Sequence, residues 1–193
     1  KENLKETFET FTMEQAARYY QDHYGVTLRV SEIVDGLHQM IENYYTACVQ
    51  LKPGVAEFLQ KLRERGVKMC VATVTEAHLA EAALSRLGII GHFQGIFTCS
   101  QVGYGKESPQ IYREALGKLQ TKKDETMVFE DALYALQTAK ADGFLTAAVE
   151  DSHESQQEAL RALADCYLTD YFHTEPFWYV SGLEKNFHWK SFQ

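Results

Sequence analysis

The sequence has no apolar run near the roughly 20 residues that a helix needs to cross a bilayer, and it has no surplus of basic residues. Lys and Arg total 19 against 27 Asp and Glu, which gives a net charge of −8. The field of such a protein repels nucleic acid and anionic lipid. Pairs of the Cys-x-x-Cys type are also absent, and no secretory leader is visible around the four scattered cysteines, Cys48, Cys70, Cys99 and Cys166. We therefore expect no nucleic-acid or membrane partner, no zinc, no disulfide, and a cytoplasmic protein with reduced thiols.

What the chain does have is an ordinary globular composition. Hydrophobic residues make up 45% of the 193 residues and charged residues 24%. This is enough to bury a core in one domain with an appendage, or in two small lobes. The chain opens at Lys1 and not at Met, so we expect a further segment upstream.

The sequence pattern of residues 1–50 predicts helices and no strand. Helix-forming residues from Met13 follow Thr12, a plausible N-cap, and Gly25 ends this segment. Ser31 is predicted to cap a second helix from Glu32 to about Cys48, which carries an amphipathic stripe. We interpret residues 1–50 as one helical segment.

From Leu51 onward, short apolar runs alternate with helical periods. The predicted helices are 55–65, 76–87, 109–119, 132–141 and 154–164, and the predicted strands are 67–73, 95–99, 127–129, 144–149 and 166–168. Short connections between alternating strands and helices predict an α/β fold, a doubly wound parallel sheet covered on both faces. Residues 172–193 are rich in aromatics without a clear period and stay unassigned.

Ligands collect outside the carboxyl ends of strands in such sheets, so polar residues at those ends are the first candidates. Thr73 ends a predicted strand, and its hydroxyl, with the amides of Val74 and Thr75, is suited to hold a phosphate oxygen. The alternative is a strand-ending threonine or a helix cap.

Two further candidates follow later strands. Lys106 lies in a glycine-containing loop, where it can balance a phosphoryl group, although loop lysines are usually just solvated. Glu130 and Asp131 directly follow a strand, and carboxylate oxygens suit Mg²⁺. Asp131 can instead be a helix N-cap. A hydroxyl, a lysine and an acidic pair after successive strands are much less expected by chance together than singly.

This pattern resembles the haloacid dehalogenase-like superfamily of phosphohydrolases, in the branch of phosphoglycolate phosphatase and β-phosphoglucomutase. Residues 70–73 (Cys-Val-Ala-Thr) are similar to its second motif, which binds the phosphoryl group. Residues 105–112 resemble the third motif, with its lysine at Lys106, and residues 128–131 resemble the fourth, which supplies metal carboxylates. The likeness runs from about residue 51 to 170. It implies a Rossmann-like core over 51–171, a partial helical cap over 1–50, and Mg²⁺ as cofactor.

The family's first motif, Asp-x-Asp-Gly-Thr, is missing, because no two aspartates of this chain are separated by one residue. In the family its first Asp is the nucleophile that forms an aspartyl-phosphate, and its second is the general acid–base. The motif lies on a central strand, between the strands that end at Thr73 and at Phe129. Without that strand the sheet has a gap with unpaired backbone groups, each costing on the order of 1–3 kcal/mol. We therefore expect roughly 30–50 further residues upstream.

The resemblance implies a Mg²⁺-dependent phosphatase of a small phosphorylated metabolite, in which Lys106 and the metal neutralise phosphoryl charge and Thr73 orients the group. The chain as written is expected to be inactive. Two alternatives remain open: a phosphomutase of the same branch, and a non-catalytic binding or scaffolding relative. A phosphoacceptor receiver domain has little support, since its acidic residues precede its Thr and Lys. Neither the substrate nor the oligomeric state follows from the sequence.

Overall fold

A computed structural model of the chain describes residues 11–183. The described residues form two compact units, and the boundary between them falls between Val49 and Gln50. No helix within residues 11–183 is both long and apolar enough to span a membrane.

The first unit begins with helix α1, Met13–Tyr24. Thr12 caps it: its hydroxyl accepts a hydrogen bond from the Gln15 amide at 3.2 Å, and the Gln15 side chain accepts one from the Thr12 amide at 2.7 Å. Gly25 ends the helix with a φ of 66°. The predicted start and end of this helix are confirmed.

The second helix, α2, spans Val30–Asn43, and the predicted Ser31 cap is wrong. Arg29 is the N-cap, because the Glu32 carboxylate accepts its amide at 2.8 Å and so satisfies a free donor at the helix start. The predicted helical end near Cys48 is confirmed, although the last residues change helix type. Residues Tyr44–Cys48 form a π-helical turn, which the Val49 amide closes by donating to the Tyr44 carbonyl at 2.8 Å.

The second unit alternates strands and helices. Its strands are β1 Val71–Thr73, β2 Ile96–Thr98, β3 Met127–Glu130, β4 Leu145–Val149 and β5 Cys166–Leu168. Its helices are α3 Val55–Glu64, α4 Ala77–Arg86, α5 Cys99–Val102, α6 Gln110–Leu119, α7 Leu133–Ala141, α8 Gln157–Leu163 and α9 Glu175–Ser181, with short 3₁₀ turns at Ile90–His92 and Lys123–Glu125. Apart from α5, which was not predicted and begins at Cys99 of a predicted strand, the predicted order of strands and helices from residue 51 to 168 is confirmed.

Every strand pairing is parallel, which confirms the α/β class, but the strands form two sheets. β1 pairs with β2, with Thr73 opposite Thr98. β4 lies between β3 and β5, with Phe129 opposite Ala147 and Ala147 opposite Cys166. Among the described residues β1 and β3 have no strand partner on their other edges.

Two predicted bounds are wrong. The strand predicted from Val67 begins only at Val71, where pairing with the β2 segment starts: the Val71 amide donates to the Gly95 carbonyl at 3.0 Å. The helix predicted from Glu154 begins at Gln157. The Glu154 carboxylate instead accepts the amides of Gln156, at 2.8 Å, and Leu133, at 3.0 Å.

Helices cover both faces of the three-stranded sheet. Side chains alternate along a strand, so Ala147 and Ala148 of β4 enter different cores. Ala147 belongs to a core with Phe58 of α3 and Phe177 of α9, and Ala148 packs with Leu136 and Leu160. The doubly wound arrangement is therefore present around β4.

Part of the unassigned aromatic segment is a helix. In α9, Phe177 and Trp178 are buried in the core that contains Phe58, and the Trp178 indole donates to the Thr174 hydroxyl at 2.9 Å. Residues 184–193, the rest of that segment, lie outside the described residues.

Candidate active site at the carboxyl end of β3

Lys106 and Glu130 are in direct contact at the carboxyl end of β3. The Lys106 Nζ atom donates to Glu130 Oε1 at 2.6 Å, and the two side chains are 15% and 5% exposed. Lys106 comes from the loop between α5 and α6. Two of the sequence candidates, which are 24 positions apart in the chain, are therefore in contact. A solvated loop lysine does not have this burial.

Tyr112 of α6 is a third member of this cluster. Its hydroxyl donates to the same Glu130 Oε1 atom at 2.9 Å, and its ring is buried against Phe144. Burial raises the pKa of Glu130, while the Lys106 ammonium and the Tyr112 hydroxyl oppose that rise. Burial and the nearby Glu130 charge raise the pKa of Tyr112, so its hydroxyl stays protonated and remains a donor.

Asp131 lies next to this cluster at the mouth of a cavity of about 200 Å³. Its side chain is exposed, whereas Glu130 is buried. The cavity is lined by Lys52, Lys106, Phe129, Glu130, Asp131, Val149 and Tyr171. The acidic pair is thus divided into one buried carboxylate with two donors and one open carboxylate.

Two lining residues, Lys52 and Tyr171, were not among the sequence candidates. Lys52 Nζ donates to the Glu150 carbonyl at 3.0 Å and to Asp151 Oδ2 at 2.7 Å. The hydrogen bond from Lys52 holds the pKa of Asp151 well below its usual range. Burial, with a smaller effect of Asp131, raises the pKa of Tyr171 to about 12. The sequence pointed to neither Lys52 nor Tyr171 as a site residue, although Lys52 lies in the run Leu-Lys-Pro-Gly at 51–54, where the texture of the sequence changes.

Thr73 stands at the end of β1, in the other sheet, and is not among the described residues that line this cavity. Its hydroxyl accepts the Thr75 amide at 3.0 Å, so these two predicted phosphate ligands bond to each other in a tight turn. Val74 between them is exposed. The structure therefore brings together Lys106, Glu130 and Asp131, and places Thr73, Val74 and Thr75 at the neighbouring sheet's carboxyl end.

A larger open groove of about 410 Å³ lies beside α7 and includes Glu107 and Asp142. Asp142 is already paired with Arg113 at 2.5 Å and Lys123 at 2.8 Å. This groove contains none of the sequence candidates.

The carboxylates fit a small, hard cation such as Mg²⁺. Within residues 11–183 no group of three or more His, Cys, Asp or Glu side chains is arranged as a metal site. Mg²⁺, however, is commonly held by one or two carboxylates, with substrate phosphate and water completing its shell. The open carboxylate of Asp131, beside Glu130, meets that requirement.

Several described phosphatases are similar in sequence to part of this chain. A phosphorylated carbohydrates phosphatase of Thermotoga maritima is 28% identical over 125 residues, which cover 61% of this chain and 58% of that protein. The validoxylamine A 7′-phosphate phosphatase of Streptomyces hygroscopicus subsp. limoneus is 33% identical over 117 residues, 61% of this chain and 54% of that protein. The chain thus spans little more than half the length of these relatives.

Solved structures show the same fold. CbbY from Rhodobacter sphaeroides, in complex with phosphate, superposes with a TM-score of 0.70 at 23% identity, covering 91% of this chain and 80% of that chain. The model of the haloacid dehalogenase-like hydrolase family matches residues 3–143, well over half of the sequence. With the parallel α/β fold and the Lys106–Glu130–Asp131 cluster at its strand ends, the chain belongs to the haloacid dehalogenase-like hydrolases.

Proposed function

We propose that this protein is a Mg²⁺-dependent phosphatase of a small phosphorylated metabolite that works through an aspartyl-phosphate intermediate. The observation that carries the proposal is the contact of Lys106 Nζ with Glu130, beside the open carboxylate of Asp131, in one cavity at the carboxyl end of β3. A fixed ammonium next to two carboxylates suits the binding of a phosphoryl group together with a divalent cation.

The chain's own residues take distinct roles in this proposal. Lys106 neutralises charge that develops on the phosphoryl oxygens, and the Thr73 hydroxyl and the Val74 amide orient the group. The Thr75 amide, which donates to the Thr73 hydroxyl, holds that hydroxyl in place. Asp131, with Glu130 as a direct or indirect partner, holds the metal. When bound, the metal supplies further charge stabilisation to the phosphoryl oxygens.

The nucleophile is proposed to be an aspartate on a strand between β1 and β3. What supports this is the division of the strands into two parallel sheets, in which β1 and β3 each have one edge without a strand partner among the described residues. Glu130 is already bonded to Lys106 and Tyr112, so it is a poor substitute for an attacking carboxylate.

The relatives' descriptions support the substrate class. The names of two relatives, a phosphorylated carbohydrates phosphatase and a validoxylamine A 7′-phosphate phosphatase, both describe small phosphorylated substrates. A cytoplasmic location is part of the proposal and rests on the cysteine pattern.

The test is a phosphatase screen over sugar phosphates, phosphoglycolate and nucleotides. It uses a version of the chain extended upstream through an Asp-x-Asp strand. Lys106→Met is expected to lower turnover by about 10²–10³-fold, since it removes a preorganised charge partner. Asp131→Asn is expected to abolish Mg²⁺-dependent turnover and to leave the fold intact. Lys122, which is 77% exposed, provides the control, and Lys122→Met should leave turnover unchanged. If Lys106→Met lowers turnover by less than tenfold, the proposed role of Lys106 in the site is wrong.

A second candidate function is a non-catalytic relative that binds a phosphorylated molecule or serves as a scaffold. The absence of an Asp-x-Asp pair favours it. The gene sequence upstream of Lys1 distinguishes the two functions, because only the phosphatase requires an Asp-x-Asp pair there. We expect the 193-residue chain alone to show no turnover. Activity that is lost when Mg²⁺ is chelated would show that another residue attacks.

A further inference from the structure

Tyr112 brings a polar group into an otherwise apolar cluster. Its side chain packs with Ile111, Ala139 and Phe144, and the residue is 3% exposed. The hydroxyl ends on Glu130, itself 6% exposed, with the carbonyl oxygen of Ala135 farther away at 3.4 Å. A phenylalanine would fill the same apolar space, so packing alone does not explain the hydroxyl.

The hydroxyl and the ammonium share one acceptor atom. Lys106 Nζ lies 2.6 Å and Tyr112 Oη lies 2.9 Å from Glu130 Oε1. Two donors from different elements, the loop before α6 and α6 itself, therefore fix the orientation of this carboxylate. Because the Tyr112 hydroxyl compensates part of the negative charge on Glu130 Oε1, the carboxylate attracts the Lys106 ammonium less strongly than it would alone.

We propose that Tyr112 is a positioning residue: through Glu130 it keeps the Lys106 ammonium at the cavity, available to bind a phosphoryl group. This rests on the proposed function of Lys106. Without the hydroxyl, the buried carboxylate has Lys106 as its single remaining side-chain donor among the described residues. A buried charge that loses one of its two partners binds the other more tightly. The ammonium then has less charge to offer to a phosphate in the cavity.

The test measures the affinity of the full chain for inorganic phosphate by titration calorimetry. Tyr112→Phe is expected to weaken phosphate binding about threefold to tenfold, the usual effect of one hydrogen bond. Tyr167→Phe is the matched control. The Tyr167 hydroxyl also donates to a glutamate, Glu150, at 3.1 Å, but that contact lies outside the cavity lining. Its loss should leave phosphate affinity unchanged.

A second background separates positioning from packing. In Glu130→Gln the carboxylate charge is gone, so adding Tyr112→Phe should weaken phosphate binding no further. Equal losses in both backgrounds would make Tyr112 a packing residue and overturn the proposal. Circular dichroism checks that each variant is folded. If Tyr112→Phe unfolds while the double variant folds, the hydroxyl only compensates a buried charge, and positioning is again overturned.

Lys106→Met distinguishes the two levels of the proposal. If it leaves phosphate affinity intact, or if the unaltered chain binds no phosphate, the phosphoryl-binding role of Lys106 fails, and the positioning role fails with it. If Lys106→Met weakens binding and Tyr112→Phe does not, only the positioning role of Tyr112 is wrong.

Discussion

The backbone of Gly54 passes so close to Tyr171 that a Cβ placed on the glycine would lie 2.6 Å from the Tyr171 carbonyl carbon. Its φ of 83° is also in the left-handed region. Gly66 is a matched control, with a φ of 71° and no atom within 4 Å of an added Cβ. Gly66→Ala should cost only the left-handed penalty, about 1–2 kcal/mol.

Gly54→Ala is expected to lower the free energy of unfolding clearly more than Gly66→Ala does, as urea titration measures. The reason is that the added methyl meets backbone, which yields less easily than a side chain. Because Tyr171 lines the cavity, the same change should also disturb the site. Equal losses for the two variants would mean that the loop of Tyr171 moves aside at no cost.

Asp142 gives the stability of the fold a pH dependence. Hydrogen bonds from Arg113, at 2.5 and 3.0 Å, and from Lys123 lower the pKa of its carboxyl group to about 2. The folded-state pKa is lower than the unfolded value, so the stabilisation is present above about pH 4. It is lost as the pH falls from about 4 toward 2.

The stability difference between the unaltered chain and Asp142→Asn should therefore stay constant from pH 7 to 5. It should narrow as the pH falls to 3. Chemical denaturation at each pH measures it, and the other carboxylates cancel in the comparison. A difference that does not change, or that grows in acid, would contradict the assigned ion pairs.

The sequence predicted Glu130 and Asp131 because they follow an apolar strand, and Lys106 because it lies in a glycine-containing loop before a predicted helix. Tyr112 was not predicted as a site residue. Its contact with Glu130 spans 18 residues and depends on which face of α6 packs against β3. Tyr171 comes from the loop after β5, and it reaches the cavity because that loop packs against Gly54 and its ring packs against Phe58. Side chains that reach a site through tertiary packing leave no local signal.

At the scale of elements, helix α9 offers a direct test of how the core is closed. Phe177 is 3% exposed and contacts the rings of Phe58 and Phe129, the residue before Glu130. Tyr179, two positions along the same helix, is 61% exposed. Phe177→Ala should cost about 3–5 kcal/mol of unfolding free energy. Tyr179→Ala should stay within about 0.5 kcal/mol.

If Phe177→Ala proves as mild as Tyr179→Ala, α9 does not form part of the core. Thermal unfolding of both variants decides this. The helix was missed in the sequence because it has only seven residues, Glu175–Ser181, too few to show a period among so many aromatics. Longer elements such as α1 and α6 were predicted to within one residue of their observed bounds.

At the scale of the whole molecule, the parallel α/β fold was predictable from the alternation of strands and helices. The number of hydrogen bonds along each strand was not. Strand β1 forms a shorter ladder than its apolar run suggests, since backbone pairing and not composition sets where a ladder starts. The central strand β4, paired on both sides, follows its predicted span closely.

The open edges predict a specific pattern of hydrogen exchange. Successive amides of a strand point to opposite sides. The Val71 amide donates toward β2, so the Ala72 amide points to the unpaired edge of β1. The Thr126 carbonyl accepts the Leu145 amide of β4, so by the same alternation the Phe129 amide points to the unpaired edge of β3. Both should exchange faster than the Val71 amide and than Ala147 in the middle of β4.

Extension of the chain upstream through an Asp-x-Asp strand should reduce this difference in exchange rate. A strand that fills the gap gives the Ala72 and Phe129 amides acceptors, so their exchange should slow markedly. The Ala147 amide, already bonded within the sheet, should slow only as far as global stability rises. Exchange followed by NMR on both versions separates these effects. If Ala72 and Phe129 are as protected in the 193-residue chain as in the extended one, then β1 and β3 do not flank an open position, and the nucleophile must come from elsewhere.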